Sequence, residues 1–376
     1  MKKKVFSIFL LIIVAAFLVS CGPEKPKEEK IVLITDKGDI TDKSFNEGAY
    51  NGVKAFGDAE GVKYGYLKPA KATDEDYIDA IEKAIADGAT VIVTPGYLFE
   101  GPINVVQHEF PEVKFIILDG SPSNAVDADW NPIGSIEKNV YSIFYAEEQS
   151  GFLAGYAAVM DGYRKLGFMG GMAVPAVQRF GHGYVQGAAK AAKELGLAAN
   201  AVTVDYLYTG DFAATPEVQA AAAAMFESGV EVIFACGGAV GQSVMAAAAA
   251  STNNGKVIGV DVDQSYDSPT VITSATKSLA SSVIYALEAI FKTKEWEAKF
   301  GGVVDILAAD RDGVGLPIEN SRFNNFTTAD YNTLYGKLVN KTITVSDVIG
   351  EFGDDGNAAK QFETAEVKVN VIPFES

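Results

Sequence analysis

The sequence predicts an α/β protein made of two Rossmann-like lobes, each built on a parallel sheet, joined by a hinge. Three observations lead there. Short aliphatic runs alternate with amphipathic helical stretches from residue 30 to about residue 262, the pattern of βαβ units. The aliphatic runs are apolar throughout, as strands covered on both faces are. The alternation passes through two cycles in a chain of 376 residues, which is length enough for two domains.

The chain opens on a targeting segment. Lys2, Lys3 and Lys4 precede an apolar run over 5–19 that contains one serine. That run is short for a spanning helix and suits the core of an export signal. It ends in Leu18-Val19-Ser20-Cys21, which resembles the lipobox of bacterial lipoproteins. The resemblance implies that residues 1–20 are a lipoprotein signal peptide and that Cys21 is acylated and becomes the N-terminus. Residues 21–29 are expected to be a solvated tether, because they are polar and interrupted by Pro23 and Pro26.

Residues 30–35 then read as a buried strand, followed by a helix over 44–57 and a strand over 62–66. Thr73 with Asp76 is a near capping box. The apolar face of Tyr77, Ile78, Ile81, Ala84 and Ile85 continues that helix until Gly88 stops it. Strands are expected at 91–93 and 115–118, with a helix over 100–109 between them. The second cycle starts with a helix over 146–160. Strands follow at 165–169, 202–207, 230–235 and 257–262, separated by helices over 181–195, 216–228 and 241–251. Thr215-Pro216-Glu217 is a start signal with proline at the first helical position. The alanine-rich stretches 220–224 and 246–250 read as packing faces. Beyond 262 the expectation is a helix over 275–292, strands at 303–309 and 314–316, helices over 327–338 and 344–350, and a strand at 366–372.

This order resembles the type I periplasmic-binding-protein fold, in which the chain crosses three times between two similar lobes. By that analogy the crossings fall near 143, 271 and 310. Lobe 1 is then 30–143 plus 272–309, and lobe 2 is 144–271 plus 310–376. The analogy implies a cleft and no particular ligand.

Composition narrows the function classes. The net charge is −18, and loss of the three signal lysines takes it to −21. A nucleic-acid partner needs a basic face, so none is expected. Attachment to a membrane must be through the lipid alone. Of the two cysteines, Cys21 is assigned and Cys236 follows the apolar run Val232-Ile233-Phe234-Ala235, so no disulfide is expected. Phosphate loops, a G-x-G-x-x-G fingerprint and a nucleophile elbow are missing from the sequence. Asp127-Ala128-Asp129-Trp130-Asn131 begins like a calcium loop, but Pro132 and Lys138 occupy the positions of the turn glycine and the bidentate glutamate. No cofactor or metal is expected, and no enzyme.

In open parallel sheets ligands lie beyond the carboxyl ends of the strands. The loops there carry Asp36, Asp119 and Asp261, together with Phe45 and Phe212. Carboxylates in a pocket select ligands rich in hydroxyl or N–H donors, since each unpaired donor costs about 1–3 kcal/mol. Asp36 with Asp42-Lys43-Ser44-Phe45-Asn46-Glu47-Gly48, then Leu118-Asp119, Val260-Asp261-Val262-Asp263-Gln264 and Thr273-Ser274-Ala275-Thr276-Lys277, are similar to the basic membrane protein family of lipoproteins. The resemblance covers nearly the whole mature chain. It implies a lipid-anchored, monomeric receptor on the extracytoplasmic face of the cell membrane. Such a receptor captures purine nucleosides and hands them to an ABC-type permease.

It also implies residue roles. Phe45 and Phe212 would sandwich the base, with Phe180 a rival for the second ring. Asp36 and Asn46 would meet the base edge. Asp119, Asp261 and Lys277 would hold the ribose hydroxyls, with Asp263 a rival for Asp261. Gly237 or Gly238 would let backbone approach the sugar. A carboxylate only accepts hydrogen bonds, so Asp36 at N1 of the base would favour guanosine and inosine over adenosine. A free sugar such as ribose, a surface adhesin or sensor, and a nucleoside hydrolase remain open alternatives.

Overall fold

The structure is a computed structural model that describes residues 29–374. The signal peptide and Cys21 lie outside the described residues, as does the tether except Glu29.

The first run of elements is β1 (Lys30–Ile34), α1 (Phe45–Glu60), β2 (Lys63–Leu67), α2 (Asp74–Ala86), β3 (Val91–Pro95), α3 (Glu100–Glu109), β4 (Lys114–Leu118) and β5 (Val140–Tyr145). The second is α4 (Glu147–Asp161), β6 (Lys165–Gly170), α5 (Pro175–Glu194), β7 (Val202–Tyr208), α6 (Pro216–Glu227), β8 (Val232–Cys236), α7 (Val240–Ala250), β9 (Lys256–Asp261) and β10 (Val271–Lys277). The chain ends with α8 (Leu279–Phe291), β11 (Val303–Leu307), β12 (Val314–Gly315), α9 (Thr328–Val339) and β13 (Val367–Val371).

Two sheets result. The first has the order β11-β5-β4-β3-β1-β2 and is parallel throughout. The second has the order β12-β10-β9-β8-β6-β7-β13, and only the short β12 runs antiparallel. Their strands are the apolar runs of the sequence, buried from Ile31 to Ile34, Val91 to Val93, Phe115 to Leu118 and Val232 to Cys236. Helices cover both faces, which is why those runs carry no polar alternation. Local signals act where the sequence puts them. Thr73 accepts from the backbone N–H of Asp76 and Thr215 from that of Val218. Gly88 and Gly229 follow their helices with positive φ.

Three expectations need correction. The stretch 140–145 is a strand pairing with both β4 and β11, not simply a crossing. Residues 271–277 form β10, which pairs with β9, so the expected helix at 275 begins only at Leu279. Val271, Ile272, Thr273 and Thr276 are β-branched and fit a pleated surface better than a helix. Residues 272–277 thus belong with the second sheet, and the crossing expected near 271 comes after Lys277. Finally, residues 344–350 form neither a helix nor a strand. Their backbone groups are satisfied by side chains of α5, as described below.

The long helices α4 and α5 pack against each other at backbone contact. A Cβ on Gly151 or Gly155 would lie 2.0 Å from the carbonyl oxygen of Phe180 or Tyr184, and one on Gly187 would lie 2.0 Å from that of Phe152. Glycines four residues apart share a helix face, so this spacing lets two helices approach closely. The approach brings Glu147, at the start of α4, against Arg179 of α5.

Candidate binding site

The carboxyl ends of both sheets face a cavity of about 1000 Å³ between the lobes. It is lined by Asp36, Phe45, Asn46, Asp119, Phe212, Gly237, Gly238, Asp261 and Lys277, the whole set of site residues proposed from the sequence. They stand at strand ends, in the loops that follow them or, for Phe45 and Asn46, in the first turn of α1, on the side that the parallel architecture dictates.

At the inner end Lys277 Nζ lies 2.6 Å from Asp119 Oδ2, 3.1 Å from Asp261 Oδ1 and 3.9 Å from Glu147 Oε1. Its ammonium also faces the rings of Phe45, Phe180 and Tyr145, at 4.5, 5.4 and 5.5 Å from their centroids. Burial works against this charge, but Asp119, Asp261 and Glu147 together outweigh it and hold the lysine above its ordinary range. Glu147 is fully buried and takes a second cation, with Arg179 Nε at 2.6 Å from its Oε2. Ser44 Oγ donates to Asp261 Oδ2 at 2.5 Å from the other lobe.

Three carboxylates and two cations leave this cluster one negative charge in surplus. Burial pushes the Asp119 carboxyl up to about 7; Lys277 pulls it down and Glu147 pushes it up further. Its Oδ1 and Glu147 Oε1 have no hydrogen-bond partner in the protein. Asp119 and Asp261 also take φ of 53° and 67°, the left-handed region that non-glycine residues occupy at a cost. Two strained aspartates, one at the end of β4 and one at the end of β9, turn their side chains into the same cavity.

At the other side Asn46 orders the acids. Its Nδ2 donates to Asp36 Oδ1 and to Asp42 Oδ2, both at 2.9 Å, and its Oδ1 accepts from the Asp36 backbone N–H at 3.3 Å. Asp42 in turn accepts from the backbone N–H groups of Ser44, Asn46 and Glu47 at 2.9, 3.0 and 3.1 Å. It thereby covers the open amino end of α1. Burial raises Asp36 above the usual carboxylate range and takes Asp42 to about 6. Asn46 therefore aims Asp36 as well as lining the cavity.

Phe45 starts α1 in one lobe, and Phe212 follows β7 in the other. Phe212 rests on a glycine floor. A Cβ at Gly171 would collide with its ring, one at Gly237 would lie 2.6 Å from the Gly171 backbone nitrogen and 3.4 Å from the ring, and one at Gly238 would lie 3.4 Å from the Cβ and carbonyl oxygen of Phe212. Gly171 thus makes room for the Phe212 ring, and Gly237 lets the Gly171 backbone approach. Phe180 is buried edge-on to Phe234, with centroids 5.9 Å apart. Asp263 turns away, accepting from Asn320 Nδ2 at 2.7 Å, and is not among the lining residues. Sequence reasoning missed Asp42, Tyr97, Glu147, Arg179 and Phe352. Only Asp42 carried a local signal, an acid before a helix start.

Among the described residues no group of three or more His, Cys, Asp and Glu side chains is arranged to hold a metal. No helix among them is long and apolar enough to cross a membrane.

Comparison with known proteins agrees with this architecture. A family model described as ABC transporter substrate-binding protein PnrA-like matches residues 29–348. The ABC transporter nucleoside-binding protein BmpA of Lactococcus lactis is 29% identical over 352 residues, covering 85% of this chain and 93% of its own. Basic membrane protein A1 of Borrelia garinii is 29% identical over 344 residues, covering 90% and 95%. Among solved structures, an ABC transporter solute-binding protein from Aeropyrum pernix superposes with a TM-score of 0.70 at 21% identity, covering 85% of this chain and 93% of that one. One from Conexibacter woesei gives 0.65 at 23%, covering 85% and 99%. At those identities the structural likeness speaks for the fold. The family match speaks for the molecule's task, which is to bind a transporter's substrate and not to transform it. The chain belongs to the PnrA-like family of ABC transporter substrate-binding proteins.

Proposed function

We propose that this protein captures a purine nucleoside in the interlobe cavity and delivers it to an ABC-type permease. One observation carries the reading: the cavity is lined by two rings from opposite lobes and by a buried acidic cluster in which Asp119 keeps an acceptor oxygen without a partner in the protein. A flat aromatic base suits the rings of Phe45 and Phe212, at roughly 0.5–1.5 kcal/mol per ring beyond area burial. Ribose hydroxyls suit the acceptors of Asp119 and Asp261, while Lys277 donates to a sugar oxygen. Gly237 or Gly238, lacking a side chain, lets the backbone approach the sugar. Asp36, aimed by Asn46, reads the base edge. The name of the Lactococcus relative, a nucleoside-binding protein, supports the substrate class.

A carboxylate at that edge prefers a base bearing N1–H. Guanosine and inosine then bind more tightly than adenosine, by about tenfold or more for one unmatched buried acceptor. Titration calorimetry with the three nucleosides checks this, and adenosine binding as tightly as inosine refutes the edge assignment. Native mass spectrometry of protein purified without added ligand identifies any nucleoside that stays bound.

Acylated Cys21 and the tether hold the monomer at the extracytoplasmic face of the membrane. A Cys21→Ser chain should be released to the medium or periplasm, whereas the parent fractionates with membranes. Retention of the serine variant in the membrane pellet counts against the anchor.

A further inference from the structure

Residues 344–351 run as a strap along α5, outside any helix or sheet, and a turn follows at 352–353. Three side chains of that helix, four residues apart, take up its backbone. Gln186 accepts from the Ser346 N–H and donates to the Ser346 carbonyl, both at 2.9 Å. His182 Nδ1 donates to the Val348 carbonyl at 2.9 Å. Gln178 accepts from the Gly350 N–H at 2.7 Å and donates to the Glu351 carbonyl at 2.8 Å. Four helical residues advance about 6.0 Å and two extended residues about 6.6 Å, so the two repeats stay nearly in step. The side chains thus replace a sheet partner, and the strap is fixed to the second lobe.

The strap ends at Phe352, which is 57% exposed yet lines the cavity. Its ring meets Tyr97 edge-on, at 6.0 Å between centroids and 60° between planes. Tyr97 belongs to the other lobe, in the turn after β3, beside Asp36. A Cβ at the preceding Gly96 would lie 3.1 Å from Asp36 Oδ2. An aromatic contact between lobes exists only while the lobes are closed, so it adds to the closed state alone.

We propose that Phe352 is a further ligand-enclosing residue, which closes the cavity mouth against Tyr97 at a position set by the Gln178-His182-Gln186 ladder. The choice of probe rests on the nucleoside reading; the closure does not.

Two measurements on the full-length chain test it. Stopped-flow release of inosine should be about three- to tenfold faster in Phe352→Ala and in Tyr97→Ala. The double variant should be little faster than either, because both remove one contact. Phe352→Trp should keep slow release. Gln186→Ala touches the strap backbone and no cavity atom, and should speed release in the same direction. Phe352→Leu, a milder change at an exposed site, guards against misfolding. In the second measurement, small-angle scattering without added nucleoside should show a larger radius of gyration for Phe352→Ala than for the parent. Parental release rates together with a parental radius of gyration in Phe352→Ala overturn the proposal. If the parent chain fails to bind inosine, the nucleoside reading falls and the scattering comparison still decides the closure.

Discussion

Lys277 sits among three carboxylates in a place where water reaches little of it. Taking away one partner of a buried ion pair costs about 3–5 kcal/mol, because the remaining charge is left uncompensated. Lys277→Ala should lose stability by about that much in urea unfolding at pH 7. The loss should shrink toward pH 5, as Asp119 takes up a proton in place of the missing cation. The parent's own pH dependence has a defined sign. Asp119 is raised to about 7, Asp42 to about 6 and Glu148 to about 8, all chiefly by burial. The unfolded carboxyls titrate near 4, so between about pH 4 and 8 the folded protein binds more protons than the unfolded one. These three carboxyls therefore make stability fall as pH rises through that window, while His182, held below its ordinary 6.5 chiefly by burial, opposes them in its lower part. Lys277, raised from its ordinary value, contributes fully below pH 10 and does not oppose the trend. Melting of the ligand-free protein should drop between pH 6 and pH 8, and Asp119→Asn should flatten the drop.

At the scale of elements, the cluster exists because α4 and α5 touch backbone to backbone. A methyl group at Gly155 would sit 2.0 Å from the Tyr184 carbonyl oxygen, and no flexible side chain can give way there. Gly155→Ala should cost about 3 kcal/mol, at the upper end of overpacking. It should also weaken ligand binding by drawing Glu147 away from Arg179. Chemical unfolding and calorimetry on the same variant read the two effects. The strap along α5 obeys a related rule, in that half-buried backbone groups also take partners where they can find them. Here they come from glutamine and histidine side chains more than 150 residues away in sequence. Strand β10 shows what an element boundary decides. As the last residue of a strand, Lys277 points into the cavity, whereas on a helix it would have been one more surface lysine.

The whole molecule is acidic, and its cavity concentrates that bias. Eight carboxylate residues and four cationic ones line it. Some of this charge is spent across the mouth, where Lys37 Nζ meets Asp211 Oδ2 at 2.7 Å in a half-exposed pair of little energetic weight. The remaining balance repels a phosphate. Guanosine monophosphate should bind at least ~100-fold more weakly than guanosine, since like charges brought together in a closing site cost several kcal/mol. Calorimetry at low and physiological salt checks this, and the gap should narrow with added salt. Direct contacts also join the two lobes: Ser44 on Asp261, Gln264 Nε2 on the Lys43 carbonyl at 2.7 Å, and Phe352 on Tyr97.

By itself the sequence determined the two parallel sheets and the side of them on which the cavity opens. Strand composition, helix caps at Thr73 and Thr215, and stop glycines act within a few residues, and a parallel sheet has only one end where loops converge. It therefore also determined Asp36, Phe45, Asp119, Phe212 and Asp261 as residues facing a common cavity. The acidic balance that argues against nucleic acid was equally plain. Tertiary structure alone decided that β10 ends at Lys277 and belongs to the second sheet, because Ala275 to Lys277 reads as the start of the next helix until β9 pairs with β10. It decided that Glu147 and Arg179 join the cluster, since that depends on glycines of two helices meeting. It decided that Asn46 orients Asp36 and that Asp263 is spent on Asn320. And it turned residues 344–350 from an expected helix into a strap, because hydrogen-bond partners supplied from a distant helix outweigh local propensity.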